Sequence, residues 1–578
     1  MRLICSFSSP SSRISSRAAA RKRCSRSSNC LCLRSLVPKC LRSRGLEKNP
    51  VSILNQVHGS VNNAAIPQIR SLLADPLPRN PMRPVSPHFP SASLLLLAMS
   101  LSGCVLGPDY KTPDAPASGR YGVDALPEQT VSTPVIGGEA QRFLAGKDLP
   151  DRWWTLFGSD KLNGLVTEAL ANSPSAASAK AALTQAQALA KARGADLYPS
   201  VSIGAGGTRQ KVDTGSFGNP GGGSTIYNLF NASVDVSYGI DLFGGTRRGI
   251  EAALAQSELA RYQAEAAYQT LVANVVTTAI QEAQLRAQVA AQEAVVADQE
   301  KSLKVSESQF DLGAIGKSEL LSAKAQLASQ RAALSPLRQQ LSQTRNQLAV
   351  YLGKLPGEYA PSNFELSELK LPEELPVSLP STLVQRRPDV LAADAALRNA
   401  SANVGIAAAN RLPKLALSAS YGSQASKAEN LFKGDVWSLG GNLSAPLFDF
   451  GALKALYGAS QAAYQQAEAD YKLTVLNAFR NVADSLRQIE TDAERLQAQH
   501  ESANAAAEGL KLAQLQYELG AGSYLQLLSA QQQHAQAQAA YVQALAARYQ
   551  DTAALFQALG GGWTSHEEAT AQTVAGAP

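Results

Sequence analysis

The sequence predicts an α+β membrane protein. Four long amphipathic strands per chain contribute to a transmembrane β-barrel, and two pairs of very long helices continue from them. Three observations predict this. Residues 230–242 alternate apolar with small polar residues over thirteen positions, the period of a two-faced strand. Residues 247–312 and 452–519 each run for about 65 residues without a proline, which at about 1.5 Å per residue is roughly 100 Å of helix. The chain also repeats itself. QFDLGAIGKSELLSA at 309–323 returns as QYELGAGSYLQLLSA at 516–530, identical at 8 of 15 positions at an offset of 207.

The N-terminal 81 residues differ from everything after them. They hold 14 Lys and Arg against 2 acids, so the remaining 39 basic and 45 acidic residues leave an acidic body inside a chain of formal charge +6. The charge argument for nucleic acid therefore fails for the body. Five of the 6 cysteines also fall there, and only Cys104 lies beyond. A body without further cysteine suits an oxidising compartment in which no disulfide is used. Residues 1–81 are Ser/Arg-rich and aperiodic. That composition also fits a transit peptide, but a complete signal sequence follows, so 1–81 is expected to be an upstream extension with no fold of its own.

That signal sequence is 82–103. Met82 and Arg83 give a short charged start, Leu94–Leu101 an apolar core, and Leu101-Ser102-Gly103-Cys104 the end. It resembles the lipobox of bacterial lipoproteins, which implies cleavage before Cys104 and a diacylglycerol and palmitate on its sulfur and amine. Residues 104–150 read as a linker from that anchor.

The repeats follow, 151–355 and 381–563, joined by the Pro-rich linker 356–380 and followed by a tail, 564–578. Each begins with alanine-rich helical sequence, at 175–197 and 387–411, that ends at Pro199 or Pro413. Two strands come next, about 199–209 and 229–243 in the first repeat, about 413–424 and 435–448 in the second. The Gly-rich run near 215–224 reads as a surface loop between strands. Thirteen residues at roughly 3.3 Å, tilted about 45°, match the hydrocarbon thickness of a bilayer, and the Ser/Gly/Asn face would look into a wet lumen. The long helices carry heptad-like apolar positions, as at Val475, Phe479, Val482, Leu486, Ile489, Ala493 and Leu496, and turn at the repeated motif into return helices at 317–351 and 523–559. Pro336 should kink the first of these.

Four strands are too few to close a membrane barrel, and an open edge in lipid leaves backbone groups unpaired. The chain must oligomerise. A dimer would give eight strands and a lumen filled by side chains, a trimer twelve and a passage; the small residues of the inner face favour a passage.

CVLGPDYKTPDAP (104–116), WWTLFGSDKLNGLVTEALANSP (153–174), YGIDLFGG (238–245), QRRPDVLAADAAL (385–397), VLNAFRNVADSL (475–486) and LFQALGGGW (555–563) together resemble the TolC-like outer membrane factors, in their NodT-type lipoprotein branch. The resemblance implies a homotrimer with a twelve-stranded outer-membrane barrel. A helical barrel would extend through the periplasm, with a small mixed domain at its waist. The implied function is passive export. The duct docks with a periplasmic adaptor (membrane fusion) protein and an inner-membrane pump of the resistance-nodulation-division type. The repeated motifs become the periplasmic tip, with Gly313, Gly520, Leu320 and Leu527 as adaptor contacts. Tyr524, Leu525, Gln526, Leu528, Ser529 and Glu319 become candidates for the tunnel gate. Relatives often carry aspartates where Gln526 and Ser529 stand, so an acidic ring at the gate is in doubt.

The remaining chemistry points away from catalysis. His500, His534 and His566 lack ligand spacing, and Gly316-Lys317-Ser318 lacks the upstream glycine of a phosphate loop, with Asp311 in its place. Trp153, Trp154 and Trp563 read as packing anchors. No cofactor, metal or nucleophile–base set is expected. The competing reading is a periplasmic or surface coiled-coil adhesin, which would keep the long helices but need no amphipathic strands; channel conductance separates the two.

Overall fold

The computed structural model describes residues 105–561, apart from 115–119, 123–125, 148, 214–222, 362 and 379. The upstream extension, the signal sequence, Cys104, the Gly-rich loop (except its ends), Trp563 and the tail lie outside the described residues.

In chain order the elements are β1 (Arg142–Ala145), α1 (Asp160–Asn172), α2 (Pro174–Gly194), β2 (Ser200–Asp213), β3 (Ser224–Ile240), α3 (Gly245–Asp311) and α4 (Lys317–Tyr351). Then come β4 (Glu374–Val377), α5 (Pro380–Arg386), α6 (Pro388–Ala409), β5 (Lys414–Ala425), β6 (Val436–Ser444), α7 (Ala452–Glu518) and α8 (Tyr524–Ala558). Pro174 and Pro388 open α2 and α6 from the first turn, where a missing N–H costs nothing. α3 and α7 are both 67 residues long, and α4 and α8 both 35. α4 stays helical through Pro336, so the expected kink leaves no break.

Four strand ends differ from the sequence reading: β2 runs on to Asp213 rather than 209 and β3 starts at Ser224 rather than 229, pairing as one longer hairpin, and two strands stop early. β3 ends at Ile240 rather than 243, because Asp241 leaves the ladder to accept the backbone N–H of Arg247 at 2.9 Å. β6 ends at Ser444 rather than 448, since Pro446 has no N–H to continue a ladder. At the second junction Asp449 accepts from the N–H groups of Leu453 and Gly451, at 2.7 and 3.0 Å. These two bonds, in that order, hold its carboxyl below the usual carboxylate range. Each long helix is thus started by an aspartate next to a glycine with positive φ, Gly244 at 78° and Gly451 at 87°.

The strands form one antiparallel sheet in the order β2-β3-β5-β6. Beyond it the helices keep the same lateral order, α2 on α3, α3 on α6, α6 on α7. Further from the sheet α4 and α8 replace α2 and α6, giving α4, α3, α8, α7. The protomer is therefore a single-layer panel with β2, α2 and α4 along one edge and β6 and α7 along the other. α2 shows what an edge costs: of its 21 residues only Ala176 and Ala190 are buried.

The core lies at the waist, where elements outside the panel cover it. β1 and β4 pair in parallel there. Trp153 and Phe157, almost wholly buried, pack against Phe556, with ring centroids 5.6 and 6.3 Å away. α3 (Leu271–Ala283), α7 (Tyr471–Ile489) and α8 (Val542–Ala558) converge on them. Burial of this kind, at about 25 cal/mol per Å² of apolar surface, is what holds the panel's halves together. Arg548, buried at 1% exposure, donates to Gln141 Oε1 (3.0 Å) and Glu139 O (3.1 Å). That ties α8 to the segment before β1, and burial pushes its guanidinium down against the opposing pull of Glu139, Tyr549 and Asp492. Toward the tip the α3–α8 contact becomes amide on amide. Gln299 Nε2 donates to Gln531 Oε1 at 2.5 Å, beside a cavity of about 470 Å³ lined by further glutamines and His534.

Asp551 on α8 faces Asp492 on α7. Burial, then a hydrogen bond to Asp492 and its charge, push the Asp551 carboxyl up to about 7, against the pull of Arg495. The unfolded chain binds this proton only near the ordinary aspartate value, so the folded state holds more protons between about 4 and 7. The associated stability is present on the acid side and lost as pH rises through 7. The thermal unfolding midpoint of the native chain should fall as pH rises from about 4 to 7, and Asp551→Asn should flatten that slope.

Candidate functional site

The register sorts the sheet's side chains into two faces. Across the four strands Ile203, Val234, Tyr421 and Trp437 stand in one row, exposed at 84%, 40%, 62% and 74%. Val201, Val236, Ala419 and Leu439 form the row beside it. A large apolar face left in water is costly, and here it belongs in lipid. The opposite face carries Ser202, Asp235, Ser420 and Ser438 in one row and Ser200, Ser237, Ser418 and Gly440 in the next. The alternation seen in 230–242 therefore extends over all four strands. The outer edges, β2 and β6, have no second neighbour among the described residues.

At the far end of the helices the two repeated motifs build identical turns. Gly313 and Gly520 adopt φ of 75° and 72°. The N–H of Gly313 reaches Phe310 O and that of Ala314 reaches Gln309 O, at 2.9 and 2.8 Å. In the second repeat Gly520 reaches Tyr517 O and Ala521 reaches Gln516 O, at 3.0 and 2.8 Å. Both are Schellman turns, which demand a left-handed residue. A Cβ built on either glycine meets nothing within 4 Å in the chain. The turn thus explains the conformation, and the space beside each glycine is open to a neighbour from outside.

Not every residue the sequence singled out faces that space. Leu527 and Tyr524 are buried, each at 4% exposure, because Tyr524, Leu527 and Gln531 form the inward stripe of α8. Leu527 is therefore no outward contact. Tyr524 stacks edge-on to Tyr517 at 5.9 Å rather than lying free at a gate, and burial, then Tyr517 and Glu319, raise its hydroxyl. Leu320, Leu528 and Glu319 are half-buried, and Leu525, Gln526 and Ser529 are exposed. Gln526 has a local task as well: its Oε1 accepts the N–H of Ser523 at 3.0 Å while Ser523 Oγ accepts the N–H of Gln526 at 3.3 Å. This capping box is written in the sequence as Ser-x-x-Gln. Beside Leu525, the most exposed apolar side chains of the tip are Leu312 and Leu519, at 84% and 74%. They occupy equivalent positions just before the two glycines, and that equivalence was the signal available.

The sequence profile described as outer membrane efflux protein matches residues 165–354 and again 379–561, one stretch for each half of the panel. The chain belongs to the outer membrane efflux protein family. It is 31% identical over 367 residues to the pyoverdine export outer membrane protein OpmQ of Pseudomonas putida, covering 63% of this chain and 74% of that one. It is 30% identical over 474 residues to the outer membrane protein OprJ of Pseudomonas aeruginosa, covering 82% and 95%. Among solved structures the outer-membrane channel OprN superposes with a TM-score of 0.69 at 28% identity, over 80% of this chain and all of that one. The chain is thus the outer-membrane component of an efflux pump, in a family of channels rather than enzymes, and it acts in the outer membrane. Among the described residues no cluster of three metal-binding side chains occurs, and no helix is long and apolar enough to cross a membrane.

Ser523→Ala should cost the α8 cap about 1 kcal/mol. Hydrogen exchange of the first amides of α8 should then quicken about fivefold. Gln526→Glu, which keeps the reciprocal bond and places an acid at a helix N-terminus, should slow that exchange slightly rather than quicken it.

Proposed function

We propose that three copies close edge to edge into the exit duct of a tripartite pump. β6 of one copy pairs with β2 of the next, and α7 packs against the neighbour's α2 and α4. The observation that carries this is the panel itself, whose strand edges and helix edges are open on the same two sides. In lipid an unpaired ladder is too costly to survive, since each unsatisfied backbone group costs several kcal/mol. A head-to-tail contact of unlike edges closes into a ring, and twelve strands leave a passage where eight would be filled by side chains.

Substrate enters this duct from a periplasmic adaptor and an inner-membrane pump of the resistance-nodulation-division type, which supplies the energy. Open space at Gly313 and Gly520 and the exposed Leu312 and Leu519 support adaptor docking at the tip. Gating is assigned to the same end, around Leu525, Gln526, Leu528 and Ser529, with no acidic ring on α8.

A lipid on Cys104 completes the assignment. Val105, the next residue, lies against Gly244, where an added Cβ would come within 2.8 Å of its Cα, and Leu106 N–H reaches Phe243 O at 3.3 Å. The chain therefore leaves the strand-to-helix junction, at the sheet's periplasmic margin, just where an acyl chain would enter lipid.

Chemical cross-linking of the detergent-solubilised protein should give a ladder that ends at three; a purely monomeric species would sink the duct reading. Cys104→Ala should abolish labelling by radioactive palmitate while the barrel still inserts, because strands and not acyl chains span the bilayer.

A further inference from the structure

Two charged side chains stand on the polar face of the sheet among the described strand residues, Asp235 on β3 and Lys414 on β5. Asp235 shares its row with Ser202, Ser420 and Ser438. Lys414 lies six residues before Ser420 on the same strand, hence on the same face, opposite Ser444. Every other position of that face carries a neutral side chain, mostly Ser, Gly or Asn. Neither charge is spent on an ion pair among the described residues. Asp235 Oδ2 accepts the Ser233 hydroxyl at 2.8 Å, the carboxylate also takes a hydrogen bond from the neutral Ser420 hydroxyl, and the nearby Gly204 leaves it uncrowded, since a Cβ there would lie 3.8 Å from Oδ2. Lys414 Nζ donates to the neutral Asn410 Oδ1 at 2.9 Å.

We infer that these two residues set the ion preference of the barrel lumen as a pair of opposed rings, Lys414 at the periplasmic mouth and Asp235 within the membrane. This rests on the trimeric duct proposed above, in which each residue occurs three times around the axis. Six residues of tilted strand place the rings about 15 Å apart along that axis. The Debye length is about 10 Å at 0.1 M salt, so each ring acts on a passing ion separately. Rings of charged side chains are a direct means of selecting permeant charge. Here the two signs offset one another, which leaves the duct open to solutes of either charge while holding neither.

The test is reversal potential in planar bilayers under a KCl gradient between 10 and 100 mM, with the mature full-length protein. Asp235→Asn keeps the acceptor for Ser233 and should lower the K⁺/Cl⁻ permeability ratio at least about twofold. Lys414→Gln should raise it by a similar factor, and both effects should shrink toward 1 M salt, where the Debye length is about 3 Å. An unchanged ratio in Asp235→Asn, in a chain that still conducts, overturns the inference. A second measurement is independent of conductance. The mature body has no cysteine after Cys104, so Asp235→Cys and Val234→Cys are clean reporters in intact cells. A membrane-impermeant cationic thiol reagent should label position 235 and spare 234, which faces lipid. Labelling of 234 with 235 spared refutes the lumen assignment. A wild-type chain that forms neither trimer nor current counts against the duct reading, and labelling then decides the facing of Asp235.

Discussion

A backbone ladder in hydrocarbon must be paired, and this one requirement organises the rest of the molecule. β2 and β6 each leave one side of their ladders open, so the protomer is incomplete by construction. The helices inherit the same incompleteness. Because α2, α3, α6 and α7 follow the lateral order of the strands, a panel that must close at the sheet must also close along its helices. An edge helix such as α2 has one neighbour fewer and stays mostly exposed, and in the proposed duct its alanines permit close approach to a helix of another copy. In the trimeric duct proposed above, folding and assembly are coupled, and the stability of the isolated chain does not describe the working state.

The duplication makes this economical. Equivalent glycines at 313 and 520, and at 353 and 560, all take positive φ at helix ends, so one turn chemistry serves four times. The surroundings then divide their roles. A Cβ at Gly353 would meet Asn172 O at 2.4 Å, whereas at Gly313 it meets nothing. The waist glycine is fixed by close packing inside the chain, and the tip glycine by backbone conformation alone. Two copies of one motif can thus tolerate different partners while keeping one geometry.

Much of this was legible in the sequence because it depends on period. The alternation of 230–242, the proline-free runs and the gap-free offset of 207 fix strands, long helices and their pairing. Heptad positions from Val475 to Leu496 are buried as their spacing requires, with Phe479 partly so. What was not legible depends on neighbours or on local competition for hydrogen bonds. Asp241 continues the alternation on paper, but capping α3 outweighs one more ladder pair. Leu527 looks like a tip residue in a hydrophobic motif, and only the inward stripe of α8 reveals its direction. Gln526 carries a second, local role that is legible in the letters: Ser523-x-x-Gln526 is a capping box, and the structure forms it. The Asp492–Asp551 contact joins residues 59 apart in sequence on two helices, with no local pattern to announce it.

The polar face of the sheet shows how a wall can be wet without being adhesive. A lumen lined by free donors and acceptors would bind the solutes it should release, and each unsatisfied group would favour retention. Here serine hydroxyls turn back on their own sheet: Ser200 Oγ donates to Ser237 O and Ser202 Oγ to Asp235 O, at 3.3 and 3.5 Å. Both bonds are long, so they leave hydration intact while reducing what a solute gains by displacing water. Glycines at 204, 206 and 440 supply width without any side chain at all. The neutral positions of this wall therefore give a solute little to hold, which is what a passive exit requires, and any preference the wall exerts falls to its few charged side chains.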